Sequence, residues 1–114
     1  INLNKIANNS ESPEIEYNDK GDKEYRVNGI LHRKDGPATI LKNGNEFWLI
    51  NGKLHREDGP AIIQADGYKE WKINGKSHRK DGPAKEYSNG DKEWYLYDKL
   101  HREDGPAIIQ TNGD

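Results

Sequence analysis

The four histidines of this chain, His32, His55, His78 and His101, recur every 23 residues, each at the head of an HR(K/E)DGPA run. A fixed period of this length marks small structural units that bury apolar surface against copies of themselves. Four units result, 23–45, 46–68, 69–91 and 92–114, behind a divergent acidic stretch, 1–22, whose length suits an irregular N-terminal cap. All 12 glycines fall on three positions of this grid, and four of the five prolines on one. The three tryptophans, Trp48, Trp71 and Trp94, share a further position that Tyr25 fills in the first unit.

Against that period the composition changes meaning. Leu, Ile, Val and Phe make only 20 of 114 residues and the mean hydropathy is -1.22, values at which a chain can stay disordered. Disorder also calls for a large net charge, and here it is -2. Few core residues, each repeated from unit to unit, fit a thin sheet. The absence of cysteine excludes a disulfide framework, a thiolate zinc site and a cysteine nucleophile. No apolar run approaches the ~20 residues of a membrane helix. Without a basic excess, nucleic acid is not expected as a partner. The chain opens at Ile1 with no signal-peptide pattern, as a processed chain would. The Asn8-Asn9-Ser10 sequon is too common a pattern to place it outside the cell.

Within a unit the pattern is that of strands. In Tyr68-Lys69-Glu70-Trp71-Lys72-Ile73-Asn74-Gly75, Trp71 and Ile73 alternate with Glu70 and Lys72, one face apolar and one charged. Asn74-Gly75 supplies the positive-φ pair of a tight reversal, as do Asn51-Gly52 and Asn28-Gly29. A second strand follows the proline, Pro60-Ala61-Ile62-Ile63-Gln64, and ends at Asp66-Gly67. Glycine or proline interrupts every stretch within about eight residues, which excludes helix. The expected fold is all-β, an elongated single-layer antiparallel sheet of stacked β-hairpins. Each unit gives two short strands, joined by Asn-Gly or Asp-Gly on one side and by the longer NGKLHREDG loop on the other.

An aromatic strand, then NGK-x-H, a glycine-bearing turn and a strand ending in (N/D)G together resemble the MORN repeat. The likeness is greatest to HREDGPA-type variants that recur in bacteriophage, large-DNA-virus and bacterial proteins. It covers residues 23–114, and 13–22 more weakly through Pro13, Tyr17 and Gly21. HR(K/E)DGP stands where the ordinary repeat has H-G-x-G. The resemblance implies a sheet of stacked hairpins without enzyme activity. It also implies a phage- or virus-type protein acting on a host component, in the cytoplasm of a bacterium or an infected cell.

The repeated residues narrow the chemistry. Two strands at ~4.8 Å per unit hold equivalent histidines roughly 10 Å apart, too far for a common metal ion. His, Arg and Asp recur in every unit, whereas an active site is one constellation. Ser77 adjoins His78, but neighbouring side chains on a strand point to opposite faces. Neither metal, cofactor nor catalysis is expected. Asp35, Asp58, Asp81 and Asp104 are placed to accept hydrogen bonds from loop amides, and the arginine fork to bridge to the aspartate or to carbonyls of the next unit. Between them Lys34, Glu57, Lys80 and Glu103 alternate in sign. The alternative for this loop is an anion-facing stripe of His32, Arg33, His55, Arg56, His78, Arg79, His101 and Arg102, meeting a small ligand or a lipid head group.

Tyr25, Trp48, Trp71 and Trp94, with Val27, Ile50, Ile73 and Leu96, are expected as the packed spine. Phe47, Leu49 and Tyr95 occupy the other face. With Tyr87 and Tyr97, where the third and fourth units depart from the repeat, they are the candidates for contact with a protein partner. A protein-binding scaffold is therefore the leading expectation, with ligand sequestration and a structural spacer as alternatives. The repeats carry 16 basic and 15 acidic residues, so neither nucleic acid nor a membrane surface is expected. Asn112-Gly113 has no returning strand, so the strand near 107–111 is expected as an open edge that either further units cover or a second copy pairs with.

Overall fold

The computed structural model describes residues 12–111; residues 1–11 of the cap, the sequon among them, and the Asn112-Gly113 turn lie outside these. Nine strands run in chain order through one open antiparallel sheet: Glu14–Tyr17, Lys23–Val27, Thr39–Ile40, Glu46–Phe47, Ile62–Ile63, Lys69–Glu70, Lys85–Glu86, Lys92–Glu93 and Ile108–Ile109. The body measures 63 × 29 × 16 Å, and the described residues include no helix. None, therefore, is long and apolar enough to cross a membrane. The all-β, elongated sheet expected from the repeat is the fold observed.

The expected long loop holds structure of its own. Leu49–Ile50 pairs with Lys53–Leu54, Lys72–Ile73 with Lys76–Ser77, and Tyr95–Leu96 with Lys99–Leu100, so each of these units adds a second, smaller hairpin. In the first unit Ile30–Leu31 pairs with the end of Lys23–Val27. At Asn51-Gly52 both residues have positive φ, 50° and 79°, as a two-residue reversal requires. Tyr97-Asp98 adopts the same turn, φ 47° and 71°, without glycine and against the steric preference of L-residues.

Each of these units changes from main sheet to small hairpin at its tryptophan. Trp48 N–H donates to the Ala61 carbonyl at 2.7 Å, and the Trp48 carbonyl accepts from His55 N–H at 2.9 Å. Trp71 and Trp94 make the same two bonds. Ala38, Ala61 and Ala84, the residues after proline, are fully buried between strands. Only Tyr25, Leu49 and Ile62 join them as buried apolar residues among those described. A larger side chain at these alanines would push the strands apart.

Cross-strand register explains where the third unit departs from its neighbours. Lys85 lies opposite Glu70 and Glu93, and Glu86 opposite Lys69 and Lys92. The same places in the second unit set Ile62 between Phe47 and Glu70. The Lys85-Glu86 replacement thus keeps opposite charges facing each other across three strands. The described part of the cap is regular rather than irregular: Glu14–Tyr17 pairs along Lys23–Arg26.

Candidate partner-binding groove

Each HR(K/E)DG loop is built around its arginine. Arg56 Nε donates to Asp58 Oδ1 at 3.0 Å and Nη1 to the Pro60 carbonyl at 3.2 Å, with the guanidinium 3.6 Å from the Trp48 ring centroid. Arg33, Arg79 and Arg102 repeat this over Tyr25, Trp71 and Trp94, each at 3.9 Å. The glycine that follows leaves the room: a Cβ at Gly59 would come within 2.8 Å of the Arg56 guanidinium carbon. These two bonds of each fork, and a third from Arg79 Nη1 to Glu86 at 3.2 Å, close within the arginine's own unit, where a bridge to the next unit was an alternative. An anion meeting this stripe finds guanidiniums already held by a carboxylate, a carbonyl and a ring.

His32, His55 and His78 face the next unit rather than an outward stripe. Nδ1 of His32, His55 and His78 accepts the backbone N–H of Asn51, Asn74 and Tyr97 at 2.9, 3.0 and 3.2 Å. Beside this bond the Leu31 carbonyl accepts from Gly52 N–H at 2.8 Å, and Arg33 N–H donates to the Leu49 carbonyl at 3.1 Å, a pair the next two interfaces repeat. The constant spacing of 19 residues between histidine and turn was the available sequence signal for this seam. His101 is exposed. Burial, and then Lys80, lower the pKa of His78. Along the opposite edge Asp22, Asn45 and Asp91 accept the backbone N–H of Lys42, Ala65 and Thr111 at 2.8, 2.8 and 2.9 Å. At the equivalent place Tyr68 packs on Tyr87 instead, ring centroids 5.1 Å apart.

Between successive loops open three clefts in line, of about 580, 560 and 750 Å3. Trp48 and Ile50 line the first, Trp71 and Ile73 the second, Trp94, Leu96 and Tyr97 the third. The expected spine is thus two things. Tyr25 is buried, whereas the three tryptophans are half-buried and form a groove floor. The groove walls carry the exposed Lys34, Glu57, Lys80 and Glu103.

The residues expected at a partner face are mostly engaged within the chain. Leu49 is 8% exposed and lies opposite Leu54 in its own hairpin, so it belongs to the core and not to a free face. Phe47 is half-buried opposite Ile62. Tyr87 and Tyr95 are half-buried and donate their hydroxyls to Glu93 at 3.2 and 2.9 Å. Burial raises both phenols, Tyr95 to about 12, with the Glu93 bond adding to the effect. Tyr97 is 54% exposed and stacks on His78, centroids 3.9 Å apart.

The face also holds a carboxylate that was expected in solvent. Glu70, 7% exposed, accepts from Ser77 Oγ at 2.5 Å and Tyr68 Oη at 2.8 Å, and pairs with Lys72 Nζ at 3.2 Å. Burial alone would raise its pKa, but these donors outweigh it and hold the carboxyl below its ordinary value. Ser77 is thereby a donor in a closed cluster. Among the described residues no three His, Asp or Glu side chains converge as a metal site requires. Comparison with known protein families, with curated proteins and with solved structures gave no significant match.

Proposed function

We propose that this chain is a non-enzymatic, MORN-like repeat scaffold that binds a partner protein along the tryptophan-floored groove. The partner is a host component met in the cytoplasm, and the chain a phage- or virus-type protein acting on it. The observation that carries this reading is one cleft, with the same floor and walls, repeated three times in line. Successive floors at roughly 10 Å correspond to about three residues of extended polypeptide. A strand-like segment of a partner would so meet a new tryptophan every third residue. The alternating wall charges would fix its register. The small-anion or head-group alternative has less support, because the arginine forks are already bonded.

Affinity capture from a host lysate tests the reading, comparing the chain with a variant carrying Lys34→Glu, Glu57→Lys and Lys80→Glu. These positions are exposed, so the circular dichroism spectrum is expected to stay unchanged while a specific captured protein is lost. Equal capture by both would overturn the groove as the binding face. A second reading, end-to-end pairing, draws on the exposure of Leu100 (50%), Ile108 (45%) and Ile109 (36%), against 9% for Ile62 in the second unit. Sedimentation across concentration checks it, and a strictly monomeric chain would sink it.

A further inference from the structure

We propose that the three histidine–backbone bonds between units form a proton-sensitive seam, cohesive at neutral pH and released as the imidazoles protonate. The bond itself sets the chemistry. A peptide N–H can only donate, so Nδ1 of His32, His55 and His78 must be bare and the neutral ring protonated at Nε2. A proton on Nδ1 would put N–H against N–H and leave the turn amide of the next unit without its acceptor.

Burial raises the cost of losing that bond. His32 and His78 are 3% and 9% exposed, so water replaces the lost bond only if the seam opens. His32 adjoins Arg33, Lys34 and Asp35 of its own loop. His55 shares its cleft with Arg33 and Lys34 of the preceding loop and Arg56, Glu57 and Asp58 of its own. His78 faces Arg56, Glu57 and Asp58 of the preceding loop, Arg79, Lys80 and Asp81 of its own, and His101, Arg102, Glu103 and Asp104 of the next, with the Tyr97 ring stacked on it. Among the described residues no carboxylate bonds directly to His55 or His78. His101 is the internal contrast: it is exposed and lies 4.0 Å from Glu103.

Repeat arrays gain stability from their interfaces as well as from each unit, so protonation acts at three interfaces together. Each imidazole kept neutral only in the folded chain changes the folded-to-unfolded ratio by up to about tenfold per pH unit. The direction is fixed for His78, whose folded pKa lies below its ordinary 6.5. Its contribution is whole above that value and is lost as pH falls through the lower folded one.

Imidazole nitrogen NMR and urea unfolding, between about pH 7.5 and about pH 5.5, test the seam in the histidine range. His32, His55 and His78 are expected as Nε2–H tautomers, with His78 titrating below its ordinary value and the urea midpoint falling on acidification. The triple variant His32→Asn, His55→Asn and His78→Asn places an amide oxygen near the Nδ1 position and cannot titrate. It is expected to lose most of that acid sensitivity, whereas His101→Asn retains it. Nδ1–H tautomers at these three rings, or an unaltered acid response in the triple variant, would overturn the proposal. Should the triple variant fail to fold, the tautomers of the unaltered chain still decide.

Discussion

The second and third units solve the same packing problem in opposite ways. Where the second has Phe47, Leu49 and Leu54, the third has Glu70, Lys72 and Ser77. The backbone slot is the same, on the side where the small hairpin meets the main sheet, and both sets are largely covered. An apolar trio fills it by area. The polar trio fills it because hydroxyl, ammonium and carboxylate all find partners, Tyr68 completing the set. The first unit shows an intermediate form, with Arg26 on Glu24 at 3.1 Å beneath an unchanged Leu31. Alanine, tryptophan, arginine and histidine hold the frame; the slot tolerates either chemistry provided it is complete.

Breaking the polar set at one member therefore has the largest expected effect. Lys72→Leu copies the residue of the second unit but leaves Glu70 buried without its cation. Urea denaturation is expected to show a loss of about 3 kcal/mol. Ser77→Leu restores the residue found in the other three units, yet removes the shortest bond to Glu70, and an expected loss of about 2 kcal/mol follows. The comparison sharpens when the whole set is exchanged. Glu70→Phe with Lys72→Leu and Ser77→Leu is expected to return to within about 1 kcal/mol of the unaltered chain, since a matched apolar trio replaces a buried ion pair at little net cost. A triple variant as unstable as the singles would show that the two slots differ in backbone shape.

The frame was legible in the sequence because it is periodic. The histidine spacing, the Asn-Gly turns and the alternation of Trp71 and Ile73 led to short antiparallel strands and an elongated all-β sheet. The polar slot was not legible, since alternation assigns Glu70 and Lys72 to solvent and nothing local says that a second hairpin will cover them. The role of Ala61 is hidden in the sequence for a similar reason: its small side chain matters only once strands close on both sides. The groove was half legible. Equal spacing of the tryptophans gave a stripe, but which edge of each ring stays open depends on where Arg56 and its counterparts lie over them. The histidine seam is carried by a spacing of 19 residues across units, which a search within one unit cannot find.

Alkaline pH probes the polar side of the same comparison. The phenols around the third unit, Tyr68, Tyr87 and Tyr95, all titrate above their ordinary value, burial being the first cause in each. For Tyr95 the folded value is about 12 against 10.0, so its contribution is whole below pH 10.0 and is lost as pH rises through about 12. Tyrosinate absorbance is expected to rise together with unfolding over that interval. Tyr95→Phe should reduce the coupling; a phenol that ionises freely well before unfolding would contradict the burial of this cluster.

The smallest effect is expected at the outer edge, where the two units differ again. Asn45 accepts the Ala65 N–H from across the interface at 2.8 Å, while its counterpart Tyr68 has exchanged that bond for a ring contact and the hydroxyl bond to Glu70. Ala65 is exposed, so water can take over the amide when Asn45→Ala removes the acceptor. A loss of about 0.5 kcal/mol is expected, near the lower limit for a single hydrogen bond. Tyr68→Asn would offer the missing acceptor to the third turn but uncouple Glu70, so it should cost more despite restoring the repeat pattern. If it proved neutral, the outer ladder would matter more than the buried cluster, and the ordering of these two edges would have to be reversed.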